Sequence, residues 1–154
     1  TARGQSMPKV RCTERRIGRG IFSPWQLFYT GSVGGQVLTG IPRVLALRDH
    51  PEFATISKVW PFETGFTDTP SPAKGPSIVH AEIWPTLGND RVSALRSREP
   101  GLIKDKAQVR VLCQWAEEKD DRGELGDFFA EPRRLTPEEV ETCVAEEGWI
   151  LGVT

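Results

Sequence analysis

Two spacings of apolar residues divide this chain. Towards the C-terminus Val109, Leu112, Cys113 and Ala116 fall at i, i+3, i+4 and i+7, one face of a helix that follows an N-cap at Asp105. Further on, Thr136 reads as an N-cap, Pro137 as the first helical residue and Glu139 as the glutamate of a capping box. Val140, Cys143 and Val144 then share a face, and Gly148 ends the helix. Between these two helices, residues 123–129 form a shorter segment that turns Leu125, Phe128 and Phe129 inward before Pro132 stops it. In the first half, Val37, Ile41, Val44, Leu45 and Leu47 mark helical structure over residues 32–48. A break is expected at Gly40-Ile41-Pro42, where Pro42 would open a second helical piece.

Three other stretches read as strands: residues 24–30 (PWQLFYT), 55–62 (TISKVWPF) and 78–84 (IVHAEIW), all rich in aromatic and β-branched residues. Prolines stop the last two, and a proline- and glycine-rich loop over residues 65–76 separates them. A loop of that length is either mobile or part of a site. Strands interspersed with helices predict an α/β chain, a mixed sheet flanked by helices, forming one domain over residues 1–154.

Charge changes this picture at the two ends. Residues 1–19 carry six bases and one acid, about +5, and read as a basic, flexible arm with a short helical turn at 13–17. Residues 115–147 carry twelve acids and four bases, about −8, a stretch that would repel a polyanion. No segment approaches the roughly 18 consecutive apolar residues of a membrane span, and residues 1–8 lack a signal-peptide core, so a soluble cytoplasmic protein is expected. Cys12, Cys113 and Cys143 form an odd set without CxxC spacing, expected as reduced thiols, with Cys113 and Cys143 on the apolar sides of their helices.

Candidate chemistry clusters near the strand ends. Glu63 follows the second strand directly, and Glu82 lies inside the apolar run of the third. If those strands are parallel neighbours, the two carboxylates can converge at one sheet edge and hold a divalent cation; otherwise Glu82 meets an arginine or lysine as a structural ion pair, or the strand's second face is simply exposed. His80 shares a strand face with Glu82 and is a candidate acid, base or metal neighbour. Gly31-Ser32-Val33-Gly34 sits between a predicted strand and a predicted helix, where backbone N–H groups can cradle phosphate, although it matches neither GxGxxG nor a Walker loop. Lys104 and Arg110 are candidate contacts for phosphate or substrate.

In order along residues 11–153, Arg11-Cys12-Thr13-Glu14-Arg15, Trp25-Gln26-Leu27, Gly31-Ser32-Val33-Gly34, Val59-Trp60-Pro61-Phe62-Glu63, Val79-His80-Ala81-Glu82-Ile83-Trp84-Pro85 and Lys104-Asp105 through Gln108-Val109 resemble a bacterial family of predicted nucleases with an RNase H-like fold, some of whose members are labelled cobalamin biosynthesis proteins. The resemblance implies acidic residues at strand ends that bind Mg²⁺ or Mn²⁺ for phosphodiester hydrolysis. Glu82 matches the acidic position, Glu63 is the supporting candidate, and Arg11, Arg15 and Lys104 are the implied phosphate contacts to nucleic acid or a phosphorylated ligand; His80, from its strand face, and Gly31 and Gly34, from their loop, join them as candidates on the residues alone. The family's early strand, which supplies an aspartate, has no counterpart before Arg11, so the chain resembles the family's C-terminal part. The competing expectation is a non-catalytic interaction module, or a dimer whose second copy completes the enzyme.

Overall fold

The computed structural model describes residues 8–18, 21–30, 32–71 and 74–153. It is mixed α and β: helices α1 (Cys12–Ile17), α2 (Gly34–Arg48), α3 (Asn89–Arg98), α4 (Lys104–Asp121) and α5 (Pro137–Thr142), with short strands β1 (Ser57–Val59), β2 (Ile78–His80), β3 (Glu82–Ile83) and β4 (Ile150–Leu151). A 3₁₀ turn spans Gly126–Phe128, and a π-helical turn, Cys143–Glu147, continues α5. No helix among the described residues is long and apolar enough to cross a membrane.

The strand run around His80 is real, but it serves two partners. Its first half, β2, pairs with β1 in parallel, Val59 opposite His80; past Ala81 its second half, β3, pairs in parallel with β4. The expected mixed sheet is therefore two parallel two-stranded pairs that share one segment. The strand expected over 55–62 shortens to three residues, because the chain turns at Trp60-Pro61 and the Glu63 N–H returns to the Val59 carbonyl.

Residues 24–30 are not a strand. Pro24 has no N–H to give a ladder, and the segment folds on itself through Gln26 N–H to the Ser23 carbonyl and Ser32 N–H to the Tyr29 carbonyl. The expected break in α2 is also absent: the helix runs through Pro42. Proline removes the N–H that would reach Leu38, but Leu38 is 63% exposed, so water can satisfy the freed carbonyl.

α4 forms where its period predicts, but turned about its axis. Its buried positions are Ala107 and Val111, with Trp115 half-buried one turn on, while Val109 and Cys113 are exposed. The partner decides this: Ala107 and Val111 pack with Val92 of α3, between Leu95 and Leu102. The cap at Asp105 is likewise replaced, since Ile103 occupies the N-cap and Asp105 lies in the first turn. α5 starts as predicted: Thr136 Oγ1 accepts from Glu139 N–H at 3.2 Å, and the Glu139 carboxylate accepts from Thr136 N–H at 3.1 Å.

The main core gathers Cys12, Trp60, Phe129, Cys143, Trp149 and Leu151. Trp60 stacks edge-on against Phe66 and Phe129, and its Nε1–H donates to the Phe129 carbonyl at 3.0 Å, so its one polar atom is satisfied inside. This core joins the beginning of the described chain to its end.

Candidate functional site

Of the expected basic arm, residues 1–7 and 19 lie outside the described residues. The rest is not free. Arg11 is the hub: its guanidinium donates to both oxygens of Glu82, at 2.8 and 3.0 Å, to Glu14 at 2.5 Å, and to the Glu147 carbonyl at 3.1 Å. Burial works against its charge, but the hydrogen bonds and charges of Glu82 and Glu14 outweigh that and raise its pKa. Glu14 is only 5% exposed and depends on this partner. Arg15 points its Nη2 at Cys12 Sγ, 2.8 Å away, and reaches Glu139 at 3.5 Å. Arg16 donates to the Arg133 carbonyl at 2.6 Å. The side chains expected to greet phosphate thus hold α1 against the C-terminal part of the chain.

Glu63 and Glu82 each meet an arginine, but different ones. Glu63 is paired with Arg48 at the end of α2, accepts the Val59 N–H at 2.7 Å, and has its pKa lowered, chiefly by the Arg48 hydrogen bond. Glu82 stays half exposed with Arg11 across it, which is the ion-pair alternative for this residue. His80 Nε2 lies 3.3 Å from Ser57 Oγ, across the β1–β2 pair. Mg²⁺ needs several oxygen ligands in near-octahedral array. Among the described residues neither Glu63 nor Glu82 belongs to a group of three or more ligand-type side chains, and the one carboxylate beside Glu82, that of Glu14, shares the Arg11 guanidinium with it, so these donors do not fit that ion.

Gly31 lies outside the described residues. Gly34 is buried, and a Cβ there would stand 2.6 Å from the Gln26 carbonyl oxygen and 3.0 Å from that of Pro24. Close approach of the 24–26 backbone to the start of α2 requires glycine at this position, whatever binds nearby. Lys104 is exposed at the first residue of α4, and Arg110 is paired with Glu99 at 2.7 Å. An open groove of about 490 Å³, lined by Asp68, Thr69, Asp120, Leu125, Gly126 and Phe129 among others, contains none of the expected site residues.

Two features escaped the sequence reading. The first is apolar surface: of fourteen exposed large apolar residues among the described residues, eleven lie between Phe22 and Leu47. Phe28 is 92% exposed, and Phe22 and Tyr29 meet as a tilted pair, centroids 5.5 Å apart. On α2, Leu38, Ile41 and Leu45 form an exposed i, i+3, i+7 stripe, with Val44 and Leu47 beside it. The apolar period of residues 37–47 was legible; that much of the face stays exposed was not.

The second is a cluster of ligand-type atoms in the core. Cys12 Sγ, Cys143 Sγ and a carboxylate oxygen of Glu147 lie within 4.8 Å of one another. Both thiols have raised pKa values, Cys143 to about 12, first through burial and then through their anionic neighbours, while Arg15 pulls Cys12 the other way. Comparison with family models, curated proteins and solved structures found no match.

Proposed function

We propose that this chain is a non-catalytic interaction module whose apolar face over residues 22–47 docks against the same face of a second copy. The observation that carries the reading is the exposure of those eleven side chains. The four aromatics among them, Phe22, Trp25, Phe28 and Tyr29, alone present on the order of 400 Å² of apolar surface at about half exposure and roughly 150–250 Å² each, and the seven aliphatic side chains add to it. A protein that stays monomeric rarely shows a patch of more than a few hundred Å², whereas a standard-size interface buries about 800 Å² per partner. Residues 21–48 carry only Arg43 and Arg48 as charges, and the whole chain is close to neutral at −1, so two copies approach without strong repulsion. Sedimentation velocity over a concentration series tests this. A dimer that becomes monomeric on Leu38→Asp with Leu45→Asp, while far-UV circular dichroism stays unchanged, supports it. A wild-type chain that remains monomeric throughout overturns it, as does a dimer indifferent to both substitutions.

A second reading keeps the family resemblance and its RNase H-like arrangement: a divalent-metal-dependent phosphodiester hydrolase acting on nucleic acid. One observation favours it, the half-exposed Glu82 carboxylate in the strand segment that also carries His80. Because Arg11 and Arg48 already occupy the two acids, this reading needs further carboxylates from a second chain. Calorimetric titration of Mn²⁺ into wild type and Glu82→Gln decides it: stoichiometric binding lost in the variant supports the hydrolase, and no binding to the wild type, alone or associated, removes it.

A further inference from the structure

The core cluster shares no residue with the proposed docking face, and its chemistry differs from that of the strand-end carboxylates. Cys12 opens α1; Cys143 and Glu147 open and close the π-helical turn, whose wide winding brings positions i and i+4 to one side. Glu147 is already oriented, since its carboxylate accepts the Cys12 N–H at 2.6 Å. Cys12 and Cys143 are 4% and 0% exposed. Two buried sulfurs and a carboxylate oxygen within 4.8 Å of one another make a donor set that suits a soft divalent cation. Arg15, 2.8 Å from Cys12 Sγ, supplies one positive charge. With both thiols ionised the three ligands carry three negative charges, and a divalent ion together with Arg15 brings the group to neutrality.

We propose that Cys12, Cys143 and Glu147 bind a thiophilic divalent cation, Zn²⁺ by its ligand preferences, that staples α1 to the C-terminal turn. Thiolate donors select Zn²⁺ over Mg²⁺ or Ca²⁺. Zn–S bonds of about 2.3 Å in a tetrahedron place the sulfurs about 3.8 Å apart, so atoms now within 4.8 Å need to close by no more than about 1 Å. Three protein ligands leave the fourth position to water. On binding, the ion forms two Zn–S bonds and one Zn–O bond, and each thiol releases its proton to solvent; no oxidation is involved. Affinity therefore rises with pH.

Chelator-treated protein is titrated with Co²⁺, whose thiolate charge-transfer absorption reports sulfur ligation, and Zn²⁺ is then used to displace it. The expected result is one equivalent of Co²⁺ with that absorption, retained in Cys113→Ser, whose thiol is exposed and outside the cluster, and lost in Cys143→Ser. Absence of the band in the wild type, or its survival in Cys143→Ser, overturns the proposal. Should Cys143→Ser fail to fold, the wild type still decides: calorimetry of Zn²⁺ in buffers of different ionisation enthalpy should count about two released protons, and a count near zero means that the thiols do not ligate.

Discussion

α1 and α2 are opposites of what their compositions suggest. α1, CTERRI, is six residues of mostly polar character, yet Cys12, Thr13 and Glu14 are buried. α2 is fifteen residues with a continuous apolar period, and of its residues only Gly34 is buried. The difference lies in partners distant in sequence. Arg11, Arg15 and Arg16 tie α1 to Glu82, Glu139 and the Arg133 carbonyl, and the Cys12 side chain enters the main core. α2 is attached at its ends, by Gly34 against the 24–26 backbone and by Arg48 to Glu63, and between those points its apolar stripe faces outward. Burial here follows tethering more than hydrophobicity, and an apolar helix left uncovered points to association.

Cutting the α1 tether should produce the largest effect. Arg11→Met leaves Glu14 buried without its cation, and urea unfolding should show a loss of about 3–5 kcal/mol. A loss no greater than that from a surface substitution would erase the contrast between the helices. Next comes the attachment of α2: Gly34→Ala forces a Cβ onto the Gln26 carbonyl, and unlike most Gly→Ala changes in helices it should destabilise, by about 1–3 kcal/mol in the same assay. The Arg48–Glu63 pair sharpens the comparison at the other end of α2. Its depressed Glu63 pKa means that the pair's contribution is full above the ordinary carboxylate range and fades as pH falls through the lowered value. Thermal midpoints measured from pH 6 downwards should therefore converge between wild type and Glu63→Gln. The smallest effect on folding belongs to the exposed stripe: Leu45→Gln should change stability by no more than about 0.5 kcal/mol while weakening self-association. A large loss of stability there would mean that the stripe is buried in the monomer.

Much of the local structure was legible along the chain. The capping box at Thr136, the start of α5 and the helical period of 105–116 depend on contacts a few residues apart, which sequence displays directly. The parallel relation of the second and third strand runs was also an open alternative that the structure adopts. α3 went unread because its ten residues are dominated by polar and charged side chains, with Val92 and Leu95 its main apolar contacts. β4, at two residues, is too short to show an alternation. Glu82 was legible as an acid in an apolar run, with an ion pair among its open alternatives, and the structure supplies that pair from Arg11, 71 residues away.

The sequence by itself determined where most helices begin and that the two end regions of the chain carry opposite charge, and it singled out Glu82 as an acid in an apolar run. Three matters rested on tertiary contacts alone: which face of α4 is buried, that the arginines of α1 bind the protein itself, and that Cys12 meets Cys143 and Glu147. The reason is one of range. Caps and periods act within about one helical turn, whereas ion pairing and ligand convergence here join residues 15 to 135 positions apart, whose meeting depends on how every intervening element packs.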